Sequence, residues 1–173
     1  MTLARTIRTI VASASPHSAQ GLDDRTASPV DIARIRAMPS PWAKFSLPGS
    51  QPAYARGTTP EFRKGIRGIF GPLVDWVESW PPGAHAWLMS EVPAEGSLSR
   101  YFRELEGRLE PAGSLWVVFP KKPFMKELAF PFAWMDVQKA GLSSGLVDNK
   151  IAAFSPRLTS IRFVIPVSRR KRG

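Results

Sequence analysis

The chain has 173 residues, a length that supports one domain and a short extension. Its 24 Lys and Arg outnumber its 14 Asp and Glu, and the resulting net charge of +10 favours anionic partners such as nucleic acid. The absence of cysteine excludes disulfides and thiolate chemistry and fits a reducing compartment, so a cytoplasmic location is expected. No stretch approaches the roughly 20 apolar residues of a membrane span, and no membrane partner is expected.

Residues 1–60 are predicted to form a proline-rich, largely irregular arm, because closely spaced prolines prevent long helices and remove ladder donors. One short helix is predicted over 30–38, and Trp42 and Phe45 are candidate anchors to the body. The first 20 residues hold two arginines and no acid. That composition is typical of an organelle transit peptide and equally of a frayed terminus.

A helical pattern begins at Glu61, where apolar residues recur at spacings of three and four. Three glycines interrupt this pattern, Gly65, Gly68 and Gly71, and a break is predicted near the last of them. Their spacing fits neither the dinucleotide fingerprint nor the P-loop, and no strand is predicted before them. A phosphate-binding loop is therefore not expected here.

The next elements are a short strand over 84–89 and the clearest helix of the chain, opened by Gly96 and Ser97. His85, inside the strand, is predicted to be a packed, hydrogen-bonded side chain rather than a catalyst. The turn signal Pro111-Ala112-Gly113 is predicted to end the helix.

An unbroken apolar run over 115–119 follows that turn and ends at Pro120. A continuous apolar run is typical of a strand covered on both faces, so this is predicted to be a central strand of a parallel sheet. A helix over 131–140, ended by Gly141 and Gly145, and strands over 147–154 and 161–167 complete the chain. The last two strands are joined too closely for a parallel pair and predict a closing antiparallel hairpin, with Pro166 favouring a sheet edge.

The C-terminal half resembles the second half of a Rossmann-like, S-adenosylmethionine-dependent methyltransferase domain. The resemblance rests on the order helix, Pro-Ala-Gly-Ser turn, apolar strand, helix and hairpin. It implies an α/β fold with a three-layer, methyltransferase-like sheet that is incomplete at its N-terminal half and closed by the antiparallel C-terminal hairpin. The predicted units are the arm 1–60, the α/β domain 61–168 and the basic tail 169–173.

Three short motifs also resemble an uncharacterised bacterial domain-of-unknown-function family with the same outline. They are the Leu-Trp-Val strand running into Pro-Lys over 115–122, the Gly-Leu-Val-Asp-Asn-Lys segment over 145–150, and the final strand over 158–164. Together they span roughly residues 80–168.

Methyltransferases of this outline bind their cofactor through the first strand, its glycine-rich turn and an acid that ends the second strand. No such set is recognised in the sequence, so cofactor binding and catalysis are both open, and no catalytic residue is assigned. If a site exists, it is expected at the carboxyl ends of the strands. The candidate cofactor-binding residues there are Ser90, Glu91, Lys121 and Lys122.

The first functional hypothesis is a methyltransferase-like, non-catalytic binding or structural module. An alternative is a divergent methyltransferase that binds S-adenosylmethionine. A further alternative is a basic nucleic-acid-associated protein, whose candidate contacts are Arg157, Arg162, Arg169, Arg170, Lys171 and Arg172. No metal-ligand set is recognised, and an open sheet edge predicts a homodimer.

Overall fold

The apolar run over 115–119 lies in the middle of strand β4 (Leu109–Pro120), in a computed structural model that describes residues 40–170. Its side chains alternate between two hydrophobic clusters. Trp116 and Val118 belong to the cluster on one face of the sheet, and Leu115 and Val117 belong to the other. All four are fully buried. The predicted central strand, covered on both faces, is confirmed.

Within residues 40–170, six strands and three helices form the domain around this core. Besides β4, the strands are β1 (Ala53–Arg56), β2 (Asp75–Trp76), β3 (His85–Glu91), β5 (Val147–Ala153) and β6 (Leu158–Val164). The helices are α1 (Pro60–Phe70), α2 (Leu98–Glu106) and α3 (Trp134–Ser143). Short 3-10 turns lie at Ala43–Phe45, Gly71–Leu73, Lys122–Phe124 and Val167–Arg169. None of the helices within residues 40–170 is long and apolar enough to cross a membrane.

The strand order across the sheet is β2-β1-β3-β4-β6-β5. The first four strands are parallel, whereas β6 lies antiparallel between β4 and β5. The predicted α/β fold and its closing hairpin are confirmed. The predicted sheet edge at Pro166 is wrong, because β6 ends at Val164 and the outer strand is β5.

Strand β1 lies inside the segment predicted to be an irregular arm. Ala53 and Ala55 are buried in the sheet, and Ala55 pairs with Met89 of β3. Four residues that include two alanines carry little strand signal, since alanine is depleted in strands. The irregular-arm prediction therefore fails over residues 53–56, and a strand does precede the glycines of α1. The helix predicted over 30–38 lies outside the described residues.

The carbonyl of Phe45 anchors the segment before β1 to the sheet. The indole nitrogens of Trp87 and Trp116 both donate to it, at 3.0 and 2.9 Å. The Phe45 ring is fully buried, and Trp42 packs against the same core. Both predicted anchors are confirmed.

Two predicted boundaries shift because of close packing. The Pro111-Ala112-Gly113 turn lies within β4, where the pairing with β3 changes register and a Cβ on Gly113 would lie 2.7 Å from the His85 carbonyl. Gly141 does not end α3. The helix continues through Gly141. A glycine is needed there because the Phe163 ring occupies the space that a Cβ would need.

The cap of α2 and the packed histidine are both confirmed. Ser97 Oγ accepts from the Arg100 amide at 3.3 Å. His85 is buried, and its Nε2 lies 3.0 Å from the Pro81 carbonyl oxygen.

Candidate functional site

The strand order reverses at β1, which has β2 on one side and β3 on the other. In open α/β sheets such a switch point leaves a crevice at the carboxyl ends of the strands, where ligands bind. A cleft of about 200 Å³ lies at this point. It is lined by Arg56, Gly57, Thr58, Glu78, Ser90, Glu91, Pro93 and Tyr101.

A second cleft of about 400 Å³ shares Gly57, Thr58 and Glu78 with the first, and extends it towards Arg63 and Trp76. The two clefts together reach the size of ligand pockets, roughly 300–1,000 Å³. A wider groove of about 720 Å³ lies near the amino ends of β1 and β2, away from the switch point.

The loop between β1 and α1 forms one wall of this crevice. Gly57 follows the last residue of β1, and Thr59 caps α1 by accepting from the Phe62 amide at 3.3 Å. Glu91, at the end of β3, holds the loop from the other side. Its Oε2 accepts from the amides of Thr58 and Thr59 at 2.7 and 2.9 Å, and its Oε1 accepts from the Thr59 hydroxyl. The loop is therefore tied to β3 through one carboxylate.

Glu78 places a second carboxylate beside the crevice, two residues after β2. Its Oε1 accepts from the Trp76 indole at 3.0 Å, and its carbonyl accepts from Arg56 Nε at 3.0 Å. The Arg63 guanidinium lies 4.9 Å from the centre of the Trp76 ring. These contacts link β1, β2 and α1 around the opening of the second cleft.

Tyr101 brings a buried hydroxyl from α2 to the crevice, close to Ser90. The oxygen is shielded from solvent and makes no hydrogen bond of acceptable geometry. Burial raises the pKa of this phenol well above its usual range, so the group is a neutral donor at physiological pH. Ser90 is itself buried and donates weakly to the Glu91 carbonyl at 3.4 Å. The crevice therefore holds an unused donor.

The four candidate cofactor-binding residues separate into two pairs. Ser90 and Glu91 line the crevice. Lys121 Nζ instead donates to the Pro156 carbonyl at 3.0 Å, and Lys122 begins a 3-10 turn. Neither lysine lines either of the clefts at the switch point.

The candidate nucleic-acid residues are mostly engaged within the fold. Arg157 contacts the carboxylates of Glu127 at 2.6 Å and Glu61 at 3.6 Å. Arg169 contacts Glu106 at 2.8 Å. Arg170 donates to the Ile165 carbonyl at 2.9 Å, and Arg162 lies half-buried in β6. Lys171 and Arg172 lie outside the described residues.

Sequence reasoning missed Gly57, Thr58 and Glu78, because all three depend on recognising β1 and β2. It also missed Tyr101, because no local pattern shows that this side of the predicted helix meets the crevice. One signal was available. Thr59-Pro60 is a helix N-cap followed by a first-turn proline, and a glycine stands two residues before that cap. Within residues 40–170 no cluster of His, Asp and Glu could hold a metal ion.

Comparison with known proteins supports the fold. No family model matches the chain, and no curated protein matches it. One structural match lies in the complex between the Haloferax volcanii Trm112 methyltransferase activator and a protein described there as a methyltransferase. Its TM-score is 0.52 at 9% identity, over 73% of this chain and 87% of that chain.

Two further matches are the CcbJ methyltransferase of Streptomyces caelestis and the N-methyltransferase NodS of Bradyrhizobium japonicum. Both have a TM-score of 0.46 and 10% identity. They cover 70% and 68% of this chain, and 86% and 88% of those chains. The match with a TM-score of 0.52 supports a methyltransferase-like fold and, at 9% identity, nothing beyond the fold.

Proposed function

We propose that the chain is a divergent S-adenosylmethionine-dependent methyltransferase that binds its cofactor in the crevice between β1 and β3. The observation that carries this proposal is the unit formed by β1, Gly57 and α1, with the carboxylate of Glu78 beyond β2 beside the same crevice. A first strand, a glycine turn and an acid after the second strand are the parts that the resemblance to methyltransferases implies. This favours the enzyme over the non-catalytic module.

The residues present suit the cofactor at two points. The Glu78 carboxylate suits ribose hydroxyls, and the unpaired Tyr101 hydroxyl offers a donor from the facing wall. When bound, the cofactor would supply an electrophilic methyl group. Ser90 and Tyr101 would orient the acceptor or the cofactor in a partly dry site. The departure from the family is that Thr58 and Thr59 stand where further glycines would be expected.

The nucleic-acid hypothesis receives less support, because Arg157 and Arg169 are paired with carboxylates. The finer relationship, to the uncharacterised bacterial family, stays a prediction that rests on the three sequence motifs.

Titration calorimetry with S-adenosylmethionine and S-adenosylhomocysteine tests the proposal. We expect saturable binding at one site, and about ten- to a hundredfold weaker binding in Glu78→Ala, since a hydrogen bond to a charged group contributes about 1.5–3 kcal/mol. Glu95→Ala is the matched control, because this exposed glutamate lines neither cleft at the switch point, and it should bind like the native chain. A folded protein that binds neither compound at millimolar concentration would contradict the proposal.

A further inference from the structure

We infer that Glu91 determines which class of ligand the crevice accepts. Its carboxylate occupies the position at the N-terminus of α1 where an anion would bind. The crevice therefore accepts a nucleoside that has no phosphate at that position, and it rejects dinucleotides. This assignment deepens the proposed function and, for the nucleoside, rests on it. The part that concerns phosphate stands on the contacts of Glu91 alone.

Those contacts use the donors that a phosphate would need. The amides at the N-cap and just before it have no partner within the helix, and together with the first turn they form a ready site for anions; in α1 these are Thr59 and Thr58. Here the amides of Thr58 and Thr59 donate to Glu91 Oε2 at 2.7 and 2.9 Å, and the Thr59 hydroxyl donates to Oε1. In dinucleotide-binding folds the pyrophosphate takes the corresponding place.

The carboxylate also fills the space beside the loop. A Cβ built on Gly57 would lie 2.7 Å from Glu91 Oε2 and 2.8 Å from Glu91 Cβ. The same Cβ would also overlap the Phe62 ring, so the glycine is required by packing against both Phe62 and Glu91. A phosphate group could not reach the same amides unless Glu91 moved away.

Arg56 and Arg63 line the clefts, but the charges nearest the loop amides act in the same direction as space. Glu91 brings a negative charge from β3, and Glu61 adds another in the first turn of α1. Juxtaposed like charges reject a ligand strongly, which is how an interface discriminates against the wrong partner. The carboxylate of Glu61 faces Arg157 at 3.6 Å and makes no hydrogen bond to the loop amides. The discrimination is therefore assigned to Glu91 rather than to general acidity.

Inorganic phosphate, titrated by calorimetry and by thermal unfolding, tests the assignment without any nucleoside. The native chain should show no phosphate binding up to about 10 mM. Glu91→Ala frees both amides and removes the charge, so it should bind phosphate at least tenfold more tightly than the native chain and gain thermal stability as phosphate is added. If Glu91→Ala does not fold, Glu91→Ser replaces it in the test. Serine also removes the carboxylate from the amides of Thr58 and Thr59, and it keeps a small polar side chain at this position.

Glu61→Ala is the matched control, because it removes one negative charge from the same helix turn and leaves the Glu91 contacts in place. It should remain unable to bind phosphate. Phosphate binding by the native chain, equal binding by Glu61→Ala and Glu91→Ala, or no binding by a folded Glu91 variant would each overturn the inference.

A second arm compares S-adenosylhomocysteine with NAD on the same proteins. The native chain should bind S-adenosylhomocysteine and not NAD. In Glu91→Ala the ratio of the affinity for S-adenosylhomocysteine to the affinity for NAD should fall at least tenfold. If the native chain binds neither, the proposed function fails, while the phosphate titration still decides the role of Glu91. Tight NAD binding by the native chain would overturn the inference whatever the phosphate result.

Discussion

Tyr101 places a single buried hydroxyl at the candidate site. A buried donor without a partner destabilises the protein by about 1–3 kcal/mol. Replacing Tyr101 by Phe should therefore leave the free energy of unfolding unchanged or raise it by about 1 kcal/mol. The same variant should bind S-adenosylhomocysteine about fivefold more weakly, because it loses one hydrogen bond of about 1 kcal/mol. Urea unfolding and calorimetry measure the two effects.

Tyr54 provides the control, because it is the only other tyrosine of the chain and lines neither cleft at the switch point. Tyr54→Phe should leave ligand affinity unchanged. The raised pKa of Tyr101 adds a pH signature. Above about pH 10 the unfolded phenol loses its proton while the folded one keeps it, so stability falls as pH rises. Tyr101→Phe should reduce this alkaline loss, and an unchanged pH profile would argue against a buried phenol.

Helix α1 carries two glycines with opposite roles. A Cβ on Gly65 would overlap the buried ring of Phe154, whereas a Cβ on Gly68 would meet nothing within 4 Å. Gly65→Ala should destabilise the protein by roughly 1–3 kcal/mol through overpacking. Gly68→Ala should stabilise it by about 0.5–1 kcal/mol, since alanine favours the helix.

Thermal and urea unfolding of both variants, beside the native chain, check this pair. Equal effects of the two substitutions would mean that Phe154 does not pack against α1. Gly65 and Gly68 are thus helix residues, and Gly65 is required by packing.

The sheet as a whole leaves one long edge open. Strand β5 has no partner on its outer side within residues 40–170, and Ile151 on it is 56% exposed. An unpaired edge of this kind invites another strand. We expect a homodimer through β5, weakened at least tenfold in Ile151→Lys. Sedimentation velocity over a concentration series measures it, with Leu73→Lys as an exposed apolar control away from this edge. A native chain that is monomeric at high concentration would exclude this pairing.

The second half of the fold could be predicted because the residue pattern within each element indicates how that element is buried or paired. The run over 115–119 has no polar residue, so it needs apolar cover on both faces, and the short connection before β6 requires an antiparallel pair. Ser97 likewise indicates the start of α2, because serine is a common N-cap residue. The first two strands could not be predicted, because β1 has four residues with two alanines and β2 has only two residues.

The sequence by itself determined an α/β sheet with a central buried strand and a closing hairpin, since periodicity and turn chemistry depend on neighbours along the chain. Only the tertiary structure decided the crevice, because it joins β1, β2 and β3 at one edge and brings Gly57, Glu78 and Tyr101 together across 44 residues of sequence. Glu91 was visible as a strand-end acid. That its carboxylate binds the loop amides depends on the pairing of β1 with β3, a non-local contact that no local pattern records.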